Sequence, residues 1–314
     1  MDWPVVIAFG LGVGLLVGMT GIGGGSLMTP LLILVLGTAP ATAIGTDLAY
    51  AAVTKTVGGW RHWRRGSVDL TIALWLAVGS IPGALGGVRV LHLLEDALGG
   101  DRFDTVLLAL VAGALFLTGI AVLARAFFIR ARRERETIAP FALRHKVAAI
   151  VVGVCVGFVL GLTSAGSGAL IAVALILVFR LTPIRVVGTD VFHAALLLWV
   201  ASIAHLVSGN VDLALAGTIL IGSIPGVWIG SNLAFKLPEH ALRPLLGTVP
   251  LAAGTALVRK AGADIPVYVI FLVPAAVACA AYLLHRAYVR TPAGADEPER
   301  TPPIATNDPA TDHS

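Results

Sequence analysis

Two aspartates stand in identical tripeptides, Gly45-Thr46-Asp47 and Gly188-Thr189-Asp190, and two glycine-rich runs interrupt otherwise apolar stretches. The runs are Thr20-Gly21-Ile22-Gly23-Gly24-Gly25-Ser26 and Thr163-Ser164-Ala165-Gly166-Ser167-Gly168. Glycine lets a backbone turn sharply and lets a ligand come close to its amides. Where a helix restarts after such a break, its free N–H groups and partial positive charge favour an anion. Thr20, Gly23, Gly24, Gly25 and Ser26, with Thr163, Ser164, Gly166, Ser167 and Gly168, are therefore candidate contacts to a small oxyanion. Thr46 and Thr189 join them as hydroxyl-bearing candidates. The plainer reading is that small residues only let helices pack closely. Gly10, Gly14 and Gly18, spaced by four, are read that way.

Asp47 and Asp190 lie about two helical turns beyond Pro40 and Pro183, inside apolar runs. A charged carboxylate there is costly, so coupling to a proton or a cation is one reading. Capping of the helix that starts after each proline is the other. His193, one turn after Asp190, is a candidate proton carrier or a hydrogen-bonded core histidine. Lys55 has no counterpart, Leu198 standing in the matched place; one reading pairs it with a carboxylate or has it draw in an anion, and the favoured one has it reach the cytoplasmic rim near Arg61. Asp69 and Asp212 read as helix caps, His62 and His205 as residues at helix ends, and Pro82 and Pro225 as paired kinks. Enzyme chemistry finds no footing: there is no His-Glu-x-x-His and no Cys/His cluster, and no Gly-Lys-Ser/Thr follows the glycines. No cofactor and no metal are expected. Cys155 and Cys279 fall in apolar runs and read as inert core residues.

The elements that position these groups follow from composition. Of the 314 residues, 57% are hydrophobic and 13% charged, with a mean hydropathy of +0.90. Soluble domains carry roughly 25% charged residues, so a solvated cytosolic enzyme is excluded. The net charge of +4 does not call for nucleic acid, because Arg and Lys cluster in short loops between apolar runs. The partner is the lipid bilayer. Runs suited to spanning it are 5–36, 40–60, 69–91, 104–129, 147–180, 183–206, 211–234, 242–258 and 265–285. The fold class is thus all-α and polytopic. The runs 5–36 and 147–180 exceed one span and hold the glycine breaks, so each predicts a hairpin of two half-helices.

Arg61-His62-Trp63-Arg64-Arg65 and the stretch from Arg130 to Lys146 should face the cytoplasm, and the acidic 92–103 loop the outside. Arg259 and Lys260 then fall outside against the rule. The multi-pass chain is expected in a bacterial-type inner membrane with its C-terminal tail inside.

The chain also repeats itself. With Gly18 laid on Gly161, 18–87 matches 161–230 without a gap and with roughly 28 identities. Gly66-x-Val68-Asp69-Leu70 matches Gly209-x-Val211-Asp212-Leu213, and Gly79-Ser80-Ile81-Pro82-Gly83 matches Gly222-Ser223-Ile224-Pro225-Gly226. Each copy is a broken hairpin plus three spans. Three is odd, so the second copy enters from the opposite face. Inverted-topology repeats with broken helices at mid-membrane are used by many secondary transporters, and transport is favoured over the plainer reading of gene duplication in a membrane enzyme or scaffold. The expected units are a first repeat at 1–129, a basic linker at 130–146, a second repeat at 147–260, an extra helix at 261–290 and a disordered tail at 291–314.

Gly-x-Gly-Gly-Gly-x-Leu at 21–27, the Pro40 to Gly45-Thr46 segment and the repetition of both make the chain resemble the sulfite exporter TauE/SafE family, over roughly residues 5–285. The resemblance implies an integral-membrane carrier of small anions such as sulfite, sulfoacetate and other sulfur-containing or carboxylate metabolites, mostly exported from bacteria. The chain departs from the common pattern at Asp47 and Asp190, where a small polar residue such as Ser is usual. That departure points to a proton as the co-substrate, with Asp47, Asp190 and His193 as coupling residues. A homodimer is the candidate assembly. The competing expectation is a cation transporter with the two aspartates as ligands.

Overall fold

A computed structural model describes residues 3–20, 25–127, 143–234 and 239–290. All regular elements among them are α-helices: α1 (Trp3–Thr20), α2 (Gly25–Leu34), α3 (Pro40–Arg64), α4 (Leu70–Leu98), α5 (Gly100–Phe127), α6 (Leu143–Thr163), α7 (Ser167–Leu177), α8 (Pro183–Val207), α9 (Leu213–Ala234), α10 (Glu239–Lys260) and α11 (Val269–Arg290). Five of them, α4, α5, α6, α8 and α9, are long and apolar enough to cross a membrane. Helices are the open-chain solution there, because every backbone group must find its partner within the segment. Large apolar side chains such as Trp228, Phe271 and Ile184 point outwards, as lipid-facing positions should.

The longest contacts run between halves. α1 lies along α9, α4 along α6, α3 against α8 and α5 against α10. Glycine makes the first two crossings so close that backbones touch. A Cβ on Gly14 would stand 2.6 Å from Ser223 Cα, and one on Gly157 would stand 2.7 Å from Ser80 Cα. These two contacts are each other's counterparts in the sequence repeat. The same holds for Gly10 on Ile219 and Gly153 on Leu76, and for Gly83 on Val154 and Gly226 on Leu11. The first helix of each half is thus clasped by the fourth helix of the other.

The helix ends follow from side chains. Asp69 Oδ1 accepts the Ile72 amide at 3.1 Å, and Asp212 Oδ1 accepts the Leu215 amide at 2.8 Å, so both aspartates cap their helices. Pro82 and Pro225 lie inside α4 and α9.

Three expectations need correction. The 92–103 segment is not an extended loop: α4 continues to Leu98 and α5 begins at Gly100. Nothing in His92-Leu93-Leu94-Glu95-Asp96-Ala97-Leu98 breaks a helix, and the turn waits for Gly99 and Gly100, with φ of 60° and 44°. Cys155 and Cys279 are exposed on helix faces rather than placed in the core, since an apolar run in a membrane protein has a lipid face as well as a packed one. Asp47 and Asp190 are not caps: α3 and α8 begin at Pro40 and Pro183, with Ala39 and Thr182 as the N-cap residues. The expected linker and tail lie largely outside the described residues.

Candidate functional site

The second hairpin shows how the chain breaks a helix in its interior. α6 ends at Thr163, and Ser164 and Gly166 take left-handed conformations with φ of 59° and 95° before α7 begins. Such a conformation is uncommon for a residue other than glycine. Freed backbone groups are matched locally. The Ser164 amide donates to Leu160 O at 2.7 Å, and the Ala165 amide donates to Thr163 Oγ1 at 3.3 Å. His205, buried on α8, places Nε2 2.8 Å from the Gly161 carbonyl. Thr163, Ser164 and Ala165 are all buried.

Ser164 is held by Asp47. Its Oγ donates to Asp47 Oδ2 at 2.7 Å, and Thr29 Oγ1 of α2 donates to the same oxygen at 2.6 Å. One fully buried carboxylate therefore ties together α2, α3 and the tip of the α6–α7 hairpin. Asp190 approaches the same hairpin at the start of α7: a Cβ on Gly168 would lie 3.4 Å from Asp190 Oδ2. The two aspartates, at matched positions of the repeat, thus meet one hairpin.

The rest of each Gly-Thr-Asp tripeptide builds the scaffold. Thr46 Oγ1 accepts the Asp212 amide at 3.0 Å, and Thr189 Oγ1 accepts the Asp69 amide at 2.9 Å. A Cβ on Gly45 or Gly188 would run into the backbone at Asn210 or Ser67. Glycine permits the approach, threonine bonds the loop that enters the next long helix of the other half, and aspartate faces the hairpin. Thr46 and Thr189 accordingly stand at inter-helix joints and do not reach the hairpin tip through any hydrogen bond recorded among the described residues.

His193 is fully buried, with Nε2 2.8 Å from Ser80 Oγ of α4. Tyr50 occupies the matching place on α3, and its hydroxyl lies near Ser223 without closing a hydrogen bond of regular geometry. Lys55 is half-buried, and its charge reaches Asp190 as well as His62. It is therefore part of the Asp190 surroundings. Ser26 is buried in the first turn of α2, which Gly25 opens. Gly23 and Gly24 lie outside the described residues, as do the side chains of Thr20 and Ser167.

Thr29, Ser80 and Tyr50 were not legible as site residues. Ser80 and Ser223 stand in the duplicated Gly-Ser-Ile-Pro-Gly motif, which is the signal that singles them out. Thr29 is a lone hydroxyl in the apolar run of α2 and has no repeated partner.

Broken helices and buried carboxylates inside an all-helical chain with several bilayer-long segments define a polytopic membrane protein. The chain belongs to the sulfite exporter TauE/SafE family, whose model matches residues 6–257. It is 41% identical over 254 residues to a probable membrane transporter protein, YjnA, of Bacillus subtilis (strain 168), covering 81% of this chain and 98% of that protein. A second probable membrane transporter of that organism, YdhB, is 27% identical over 244 residues, 78% of this chain and 95% of its own length. One from Xylella fastidiosa (strain 9a5c) is 26% identical over 268 residues, 83% of this chain and 97% of its own. No solved structure matches the chain significantly. The protein is a membrane transporter of this family.

Proposed function

We propose that the protein is a secondary transporter that exports a small anion, such as sulfite, an organosulfonate or a small carboxylate, by alternating access coupled to protons. The observation that carries this reading is the start of α7 behind the buried Ser164–Gly166 turn, faced by Asp47 and Asp190. A helix N-terminus presents unpaired amides and partial positive charge. An incoming oxyanion meets two carboxylates at the same place. Anion binding and carboxylate charge then oppose one another, which gives a physical basis for proton coupling.

The duplicated halves supply the two gates. In this reading 1–129 and 147–260 are inverted repeats, and the basic 61–65 and 130–146 segments lie in the cytoplasm. The 261–290 helix is an addition, and the tail is cytoplasmic. Arg259 and Lys260 then face outwards, where Lys260 Nζ donates to the Ile33 carbonyl at 2.5 Å in the last turn of α2. A cation there complements the negative end of the helix.

Reconstituted protein should take up one or more of sulfite, sulfate, sulfoacetate, thiosulfate and small carboxylates, faster under a pH gradient. Replacing a glycine of the first glycine-rich run, as Gly24→Leu, should abolish that flux. If every anion stays out while an alkali or metal cation crosses in an Asp47- and Asp190-dependent way, the carboxylates are cation ligands and the anion reading is wrong.

A further inference from the structure

Asp47 and Asp190 are counterparts in sequence, yet the fold supplies them differently. Asp47 Oδ2 receives hydroxyls from Thr29 and Ser164, while its Oδ1 is buried with no hydrogen-bond partner among the described residues, so the difference between the two aspartates lies at Oδ2. The repeat matches those donors to Ala172 and Gly21, and neither carries a hydroxyl. Asp190, with a relative exposure of 7%, has Oδ1 buried with no hydrogen-bond partner among the described residues. Its Oδ2 stands against the start of α7, at Gly168. We propose that Asp190 is the proton-binding residue of the transport cycle, and that Asp47 is a positioning residue that ties the α6–α7 tip to α2. This rests on the anion-transport reading and deepens it.

A buried carboxylate without donors is costly when charged, and a proton removes that cost. With a proton on Asp190, the start of α7 faces a neutral group and can accept an oxyanion. Without the proton, the carboxylate repels it. Proton and anion therefore favour each other's binding, and each changes the other's affinity by the same factor. They cross together, so export runs down the anion's own outward concentration gradient and carries a proton with it, and for a monovalent anion that step carries no net charge.

The surrounding charges fit this division. Lys55 of α3 and Arg125 of α5 bring positive charge to Asp190. His193 lies one turn further along α8, held by Ser80 of α4. Asp69, just before α4, pairs with Arg185 near the start of α8 at 3.9 Å. α7 contains no ionisable residue, and α6 has Arg144, His145 and Lys146 in its first turn only. Leu198 stands where Lys55 would have its counterpart. The missing hydroxyls and the extra cation thus fall on the same side of the pseudo-symmetry. That side is equipped to attract an anion once its carboxylate is neutral.

The test reads protonated carboxyl groups by infrared difference spectroscopy of the full chain in liposomes as pH is stepped. A titrating carboxyl band is expected in the wild type and in Asp47→Asn, and its loss in Asp190→Asn. Asp190→Glu should restore a band at a shifted position, which separates loss of the group from loss of the fold. The double variant Thr29→Ala/Ser164→Ala, which strips the donors from Asp47, should add a second titrating band. A band that survives Asp190→Asn and disappears in Asp47→Asn would overturn the assignment. In a parallel assay, acceleration of sulfite flux by a pH gradient should vanish in Asp190→Asn and persist in Asp47→Asn; the reverse pattern also overturns it. The spectra need no transported substrate. Absence of flux for the whole anion panel would therefore count against the anion reading, while the bands still decide the role of Asp190.

Discussion

Replacing Gly157 by alanine is expected to force α4 and α6 apart. The new Cβ would stand 2.7 Å from Ser80 Cα and 2.8 Å from the Ser80 carbonyl carbon, with the Ser80 carbonyl oxygen closer still. These are backbone atoms, so no rotamer change relieves the clash. Ordinary carbon contacts lie near 3.5–4.0 Å, and the helices must separate by roughly an ångström. The contact is one of a series, with Gly153 on Leu76 and Gly161 on Ala84 on either side, so separation at one point loosens the whole crossing. Overpacking of this kind costs about 1–3 kcal/mol, offset by roughly 0.5–1 kcal/mol because alanine is the better helix former. A net loss of about 1 kcal/mol corresponds to a melting point lower by roughly 2–4 °C. Thermal unfolding of the purified protein in detergent, followed by tryptophan fluorescence, measures this directly. Gly12→Ala and Gly113→Ala are the controls, since a Cβ at either finds nothing within 4 Å. Gly14→Ala, against Ser223, should behave like Gly157→Ala. Because Ser80 also holds His193 at 2.8 Å, flux should fall along with stability. If Gly157→Ala melts within a degree of Gly113→Ala, the crossing is not set by backbone contact and the reasoning fails.

Asp47→Ala leaves the Thr29 and Ser164 hydroxyls without their shared acceptor, so it should cost about 1–3 kcal/mol and abolish transport. Asp47→Asn, which keeps an acceptor oxygen, should melt closer to wild type; equal midpoints for the two variants would show that the tie carries no stability. Lys260→Met removes a hydrogen bond from a charged group to the Ile33 carbonyl, at a cost of roughly 1.5–3 kcal/mol. An unchanged melting point would mean that water replaces the lysine without loss. Finally, Gly66→Cys and Gly209→Cys, made after Cys155 and Cys279 are replaced by serine, report the orientation of the halves. An impermeant thiol reagent on intact cells should label only Gly209→Cys, and labelling of both or of Gly66→Cys alone would contradict the inverted arrangement.

The sequence carries what local physics decides. Apolar runs of membrane length dictate helices, the glycine clusters at 21–25 and 164–168 dictate where two of them break, and Asp69 and Asp212 announce the helices they cap. The constant offset between the two Gly-Thr-Asp tripeptides and their neighbours also indicates which parts are counterparts. It does not say that α1 packs on α9 of the other half, because a stripe of small residues fits any backbone that comes close. Nor does it reveal the 92–103 helix ends, where acidic residues suggested a loop but only Gly99 and Gly100 interrupt the helix. Above all, two identical Gly-Thr-Asp tripeptides read as equivalent. Their difference lies in hydroxyls that come from other helices, Thr29 being 18 residues and Ser164 117 residues from Asp47. Hydrogen bonds over such separations are fixed by helix packing, and only the tertiary structure decides which carboxylate receives the two hydroxyls on its Oδ2.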